Sequence, residues 1–334
     1  MPRQLEPLFD RFRRDLEALT GGPPERLAIA VSGGNDSLAM LLLAAADYPG
    51  RVVAATVDHG IRPEGAGEAE FVASVCRELG VEHSILAPAE PLLADFASLQ
   101  ARARELRYRL LLGWAADAGA PWLLTAHHMD DRAETILMRL ARGAGLAGLA
   151  GIRPIRRGDP AQPAIVRPLL GWSPGDLKAV VSLSAFRAIE DPSNRAQRFD
   201  RTWYRNLIGS THLLRSDRLA AAAAHLTEAE EALAWAADRE LCTRRRPDDG
   251  GAIRLDVRDL PFELIHRLAA QVVAELVAQH GGKPNWRRDK LAGVLRSVQS
   301  GHRATIANVQ ISPGEEWRFE PAPPRRERSG TVPR

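Results

Sequence analysis

The sequence predicts an α/β fold, a doubly wound parallel sheet, followed by a smaller, mostly helical α+β domain. Three observations predict it. Between Leu27 and Arg142, short apolar runs alternate four times with helical segments, the pattern of strands covered by helices on both faces. Polar clusters follow the first, second and fourth of these runs, beyond the carboxyl ends of strands, where such sheets bind their ligands. Past Gly143 the alternation gives way to Gly/Pro punctuation and then to long helical stretches. A length of 334 residues suits about two domains.

Each element has its own warrant. Leu5, Leu8, Phe9, Phe12, Leu16 and Leu19 recur at helical spacing, and Gly21-Gly22-Pro23-Pro24 ends that helix. Leu27–Val31, Val52–Val57, Val81–Leu86 and Trp122–Thr125 read as strands. Leu38–Ala46, Ala66–Leu79, Leu99–Ala118 and Asp130–Arg142 read as the intervening helices. Gly and Pro punctuate residues 143–175. Residues 200–246 read as helical, with an alanine-rich centre at Ala220–Ala224. Residues 251–299 read as a short strand and two helices, and Arg303–Ile311 and Trp317–Phe319 as strands. The tail from Pro321 is Pro/Arg-rich and is expected to be disordered. The expected division is a catalytic domain over 1–210, a helical α+β domain over 211–320 that contacts nucleic acid, and a tail over 321–334.

Composition narrows the class. The chain is 45% hydrophobic and 26% charged, ordinary for a globular protein. Its longest apolar run, Leu38 to Ala46, is under half a bilayer span. Glu6 and Asp10 near the start and no long apolar stretch there argue against a secretory signal. The two cysteines, Cys76 and Cys242, supply neither a disulfide framework nor a CxxC pair, so a reducing cytoplasm is the expected compartment. Residues 1–190 carry 21 Lys/Arg and 23 Asp/Glu, a net −2, whereas residues 191–334 carry 24 and 19, a net +5. All but Lys178, Lys283 and Lys290 of the cations are arginine, which suits planar contacts to phosphates and bases; codon bias toward Arg and Ala gives the same composition.

Ser32-Gly33-Gly34-Asn35-Asp36-Ser37 lies between a strand and a helix. Glycines let the backbone approach an anion, and the free N–H groups of a first helical turn point at it. Ser32 and Ser37 add hydroxyls. A carboxylate here, Asp36, fits either a Mg²⁺ held beside phosphates or a cap on the loop's own amides. Two other glycine signals fail their context. Gly143-Ala144-Gly145-Leu146-Ala147-Gly148 fits G-x-G-x-x-G but follows a helix. Gly282-Lys283 runs into Pro284 and is no Walker A motif.

Asp58-His59-Gly60-Ile61-Arg62-Pro63 follows the second strand, as an adenine and phosphate contact through His59 or Arg62, or as a capped turn. Thr125-Ala126-His127-His128-Met129-Asp130-Asp131-Arg132-Ala133-Glu134 follows the fourth. His127, Asp131 and Glu134 are spaced four and three apart, so they share a helix face. That face can bind a metal, receive a cationic amine, or be a plain acidic helix start. Arg104 and Arg107 share a face of the long helix and can meet a phosphate or a carboxylate, or stay solvated. Glu190-Asp191-Pro192-Ser193-Asn194-Arg195 is turn-rich, and Phe199-Asp200-Arg201 and Arg205-Asn206 follow it.

SGGNDS is similar to the pyrophosphate loop of the N-type ATP pyrophosphatases. In their order, SGGNDS, VDHGIR, ARELRY, TAHHMDDRAET, GLAGLAG, RPLLG and EDPSN with a following Arg205-Asn206 resemble the tRNA(Ile)-lysidine synthetase family, from about Leu27 to Leu207. Thr202, Trp203 and Tyr204 depart from a more basic pattern there, and residues 208–334 carry no motif. The resemblance implies transfer of AMP from ATP to O2 of the wobble cytidine in a CAU anticodon. The ε-amine of L-lysine then attacks C2, and AMP and diphosphate are released. It implies ATP and Mg²⁺ as cofactors, tRNA(Ile) and lysine as partners, and a possible homodimer. Ser32, Gly33, Gly34, Asn35, Asp36, Ser37 and His59 would bind the nucleotide, with Asp36 on the metal. Asp131, Glu134, Arg104, Arg107 and Arg205 would bind substrate, and Asp36, Asp130 and Asp131 would be catalytic. A tRNA sulfur-transfer enzyme and a non-catalytic nucleotide binder are the alternatives.

Overall fold

A computed structural model describes residues 6–60, 65–88, 96–189 and 200–323. The chain divides into two compact units, Met1–Thr227 and Glu228–Arg334. In the first, β1 (Leu27–Ala30), β2 (Val52–Val57), β3 (Glu82–Leu86), β4 (Trp122–Leu124), β5 (Ile155–Arg156) and β6 (Ala164–Val166) form one sheet in the order β3-β2-β1-β4-β6-β5. All neighbours are parallel except β5 against β6.

Strand periodicity explains the layers. Leu27, Ile29, Val52, Ala54, Leu124 and Val166 enter one apolar cluster, with Phe12, Leu16 and the helix core at Leu38–Ala44. Their alternates Ala28, Val53, Ala55, Leu123 and Ile165 enter the other, with Tyr108, Leu111 and Ala115. Successive residues of a strand point to opposite faces, so both faces of this sheet are covered, as a parallel sheet requires. The first cluster is covered by α1 (Glu6–Thr20), α2 (Asn35–Asp47) and α3 (Gly65–Leu79), the second by α4 (Phe96–Asp117). Ala28 and Ala55 leave room for α4 to lie close.

The segment 143–175 holds more than punctuation. Between α5 (Met129–Ala141) and α7 (Pro174–Ser182) lie a single turn, α6 (Leu146–Leu149), and strands β5 and β6. Two and three residues set among Gly and Pro show no period, so four strands are legible where the sheet has six. Trp172 is fully buried, and its Nε1 donates to Asp15 Oδ2 at 2.8 Å while the Arg11 guanidinium lies 4.5 Å from its ring. It fastens α1 to the start of α7, where Ser173 and Asp176 close a reciprocal cap.

The expected helix over 200–246 is two helices, α8 (Asp200–Ser210) and α9 (Ser216–Arg244), and ends in a strand, β7 (Arg245–Pro247). In the second unit, α10 (Phe262–Gln279) and α11 (Arg288–Gln299) accompany an antiparallel sheet. Its order is β7-β8-β11-β10-β9, with β8 (Ile253–Leu255), β9 (Ala304–Ile306), β10 (Val309–Ser312) and β11 (Trp317–Pro321). Arg303–Ile311, expected as one strand, is a hairpin. Ala307 and Asn308 both take positive φ, 47° and 62°, as a two-residue hairpin turn demands; without glycine the turn was invisible in sequence. Among the described residues no helix is long and apolar enough to cross a membrane.

Candidate functional site

The glycine loop sits where β1 gives way to α2. Gly33 has φ +81°, and a Cβ there would lie 2.7 Å from Ile189 Cδ1 and 3.3 Å from Val72 Cγ2. Only glycine fits both the conformation and the space. The Ile189 amide donates to Gly33 O at 2.9 Å. The Ser37 hydroxyl donates to Gly34 O (3.0 Å) and accepts from the Ser32 amide (3.1 Å). The two hydroxyls lie 3.1 Å apart, so both serines brace the loop. No side chain caps the start of α2 at Gly34. Its first-turn amides lack intrahelical acceptors, which leaves the anion-binding feature intact.

Because β4 lies beside β1, the cluster after β4 meets this loop. His128 caps α5: its Nδ1 accepts from the Asp130 amide at 3.2 Å, and Asp131 Oδ2 accepts from the His128 amide at 3.0 Å. An accepting Nδ1 leaves the proton on Nε2, which lies 3.3 Å from Asp36 Oδ2 and 3.7 Å from Asp131 Oδ2. Burial opposes charge on His128, but Asp36, Asp131 and Asp130 outweigh it and raise its pKa. Burial likewise opposes charge on Asp36, but His128, Asn35 and Arg205 hold its carboxyl below the ordinary value. Asp36 is thus a carboxylate at the mouth of the loop, its side chain 39% exposed.

Glu134 is fully buried, and Arg205 Nε donates to its Oε1 at 2.7 Å. The Arg205 side chain is half exposed, and it draws further on Asp131 and Asp130. His127 does not join this acidic wall. Its Nδ1 lies 3.0 Å from Thr125 Oγ1. Burial, then Arg167, Arg104 and Arg107, push its pKa down to about 3 against the opposing pull of Asp131. The three-ligand metal reading of 127, 131 and 134 therefore fails: among the described residues no group of three His, Cys, Asp or Glu could hold a metal.

After β2, Asp58 Oδ1 accepts from the Gly60 amide at 2.9 Å, closing a turn. Burial and then Arg107 hold the pKa of His59 below its usual value. Arg104 and Arg107 do converge, with their guanidinium carbons 5.2 and 5.5 Å from the Tyr108 ring centroid. Arg62, the stretch Glu190–Arg195 and Phe199 lie outside the described residues, as does the tail beyond 323.

A family model described as a PP-loop domain matches residues 8–211. A tRNA(Ile)-lysidine synthase of Zymomonas mobilis is 40% identical over 326 residues, 96% of each chain. One of Novosphingobium aromaticivorans is 39% identical over 318 residues, 95% of this chain and 94% of that one. The chain belongs to the tRNA(Ile)-lysidine synthase family. Among solved structures, a U34-tRNA thiolase from Methanococcus maripaludis is similar with a TM-score of 0.55 at 18% identity, covering 66% of this chain and 78% of that one. That likeness is one of fold.

In this lysidine synthase family member, sequence reasoning missed His128 as a site residue. It is the link between the loop's Asp36 and the acidic helix start. The adjacent pair His127-His128 was the available signal, but only the strand order tells which histidine turns toward the loop. Ile189, which closes over Gly33, carried no signal at all, since an apolar residue far along the chain reads as core.

Proposed function

We propose that the chain is an ATP-dependent ligase that joins L-lysine to C2 of the wobble cytidine of tRNA(Ile) with a CAU anticodon. The observation that carries this reading is the meeting of an anion-binding loop and an acidic wall in one site, through Asp36 and His128. The family membership supports it. The loop would cradle the phosphates that leave, and the acidic wall would receive the cationic amine.

The chemistry asks two things of these residues. The C2 carbonyl of cytidine is a poor electrophile, and its oxygen leaves poorly. Transfer of AMP from ATP to O2 cures both and releases diphosphate. The amides at Gly33–Asp36 stabilise the charge developing on that leaving group. Asp36 fits Mg²⁺, because it is an ionised, partly exposed carboxylate and Mg²⁺ is commonly held by one or two carboxylates with substrate phosphates. Bound there, the ion would neutralise phosphate charge. Asp131 and Glu134 bind the lysine ammonium groups, with Arg205 yielding part of its hold on Glu134. The amine must be neutral to attack C2, and Asp130 or Asp131 takes its proton. AMP then departs. Arg104 and Arg107 bind substrate phosphate or carboxylate, and His59 lies on the nucleotide side. The cytidine must be splayed out of its stack to reach the site. The reaction belongs in the cytoplasm with tRNA.

Sulfur transfer finds no support. Cys76 is fully buried, with burial pushing its thiol up to about 12, and Cys242 belongs to the other compact unit. The test is incorporation of labelled lysine into unmodified isoleucine tRNA. ATP-dependent incorporation with diphosphate release is expected. ATP binding without either product would leave a nucleotide binder.

A further inference from the structure

Two groups of arginines, one in the second unit and one at an edge of the first, are held differently. In the second unit, eight arginines between Arg244 and Arg318 lie within ion-pair distance of acids, as Arg254 and Arg318 do on Asp248. At the β5–β6 edge of the first unit, arginines rest on aromatic rings instead. The Arg156 guanidinium lies 4.9 Å from the Tyr108 centroid, and that of Arg157 lies 5.4 Å from the Trp122 centroid. Arg107 approaches Tyr108 from α4. Among the described residues, none of these three pairs with a carboxylate. A guanidinium stacked on a ring is held in place with its N–H donors unspent. One salt-bridged to an acid has spent them.

A second observation points to an anion. Arg156 and Arg157, both exposed, line a cavity of about 250 Å³ together with Gly158 and Gln162. Tyr108, against which Arg156 rests, is only 7% exposed, and its hydroxyl makes no well-formed hydrogen bond. Arg167, 5% exposed, also keeps an unpartnered Nε. From α4, Arg107 is near enough to His59 and His127, which follow β2 and β4, for its charge to lower the pKa of both. So much like charge around one ring is costly unless a polyanion lies across it.

We propose that Arg156 and Arg157 of the β5–β6 edge, continued by Arg107, form a docking track for the sugar–phosphate backbone of the RNA substrate, leading it toward the Asp36 site. This rests on the reading above that the substrate is a tRNA. It assigns the backbone grip to the first unit, although the net positive charge lies in the second half of the sequence.

The test is the affinity of the full chain for unmodified tRNA between about 50 and 300 mM salt. R156Q/R157Q is expected to flatten the slope of log K against log salt by about 2, one for each arginine. Binding should weaken about tenfold per arginine near 0.1 M salt. The same variant should bind ATP as the parent does, and R156K/R157K should recover most of the slope. An unchanged slope in R156Q/R157Q overturns the proposal. So does an equal loss in the lysine pair, or a loss confined to ATP affinity, which would make these arginines part of the nucleotide site. If the parent incorporates lysine while the variants bind tRNA normally, only the track fails. If the parent neither binds tRNA nor incorporates lysine, the reading of function fails and the track with it.

Discussion

Two regions, the loop and β5–β6 edge of the first unit and the ion-paired arginines of the second, differ in what their ionic groups are for. In the second, arginine and carboxylate satisfy each other. Arg267 donates to both oxygens of Glu230 at 2.9 and 2.6 Å, with the two side chains 12% and 5% exposed. In the first unit, charge is left unspent in two places, at the loop beyond the carboxyl end of β1 and along the β5–β6 edge. Asp36 keeps an exposed face beside an uncapped helix start, and arginines lie on rings. The difference teaches that total charge says little about where a polyanion binds. What counts is whether the donors are already occupied.

Substitutions on the two sides should break in different currencies. Asp36→Ala should lower tRNA-dependent diphosphate release by about 10³-fold, the scale of a lost electrostatic contact in a site. Arg258→Ala, in a surface pair with Asp256, should leave that rate within about twofold; equal losses in the two would erase the contrast. Next in size, Arg267→Ala removes both hydrogen bonds that Arg267 gives the buried Glu230 and should destabilise the protein by about 3 kcal/mol. The thermal midpoint should drop by about 10 °C while the rate per folded molecule holds. A loss of rate without a loss of stability would place Arg267 in function instead.

Gly33→Ala is a smaller, local probe. The left-handed φ costs about 1–2 kcal/mol for a residue with a Cβ, and that Cβ presses on Ile189. Nucleotide affinity should weaken while binding of tRNA alone stays near the parent's, measured by separate titrations. The smallest expected effect is on pH. Arg318 and Arg254 hold the Asp248 carboxyl down to about 2 from its ordinary 3.8. A depressed carboxyl contributes stability above its unfolded value and loses it as pH falls through its folded one. The midpoint should therefore fall more steeply between about pH 4 and 2 in the parent than in Asp248→Asn.

Sequence legibility tracked repetition. β1 to β4 were readable because each was long enough, or flanked by enough helix, to show a period. β5 and β6 were not, since their pairing partner rather than their own residues makes them strands. The loop at 32–37 was legible because glycine and serine there have few other uses. The acidic wall was legible in composition but not in pairing. Glu134 reads as a substrate ligand, yet it is held by Arg205 from 71 positions away, and such a contact depends on how α8 lies against α5. His128 was hidden for the same reason: its partner Asp36 belongs to a different strand's loop.

The central claim is that the Asp36 site activates the tRNA before lysine arrives. It is tested most directly by supplying ATP labelled at the α-phosphate with unmodified tRNA(Ile) and no lysine. The account predicts label on the tRNA, matched by diphosphate, and its discharge as AMP when lysine is added. Label appearing on lysine instead, or diphosphate formed with no label on the tRNA at any time, would contradict it.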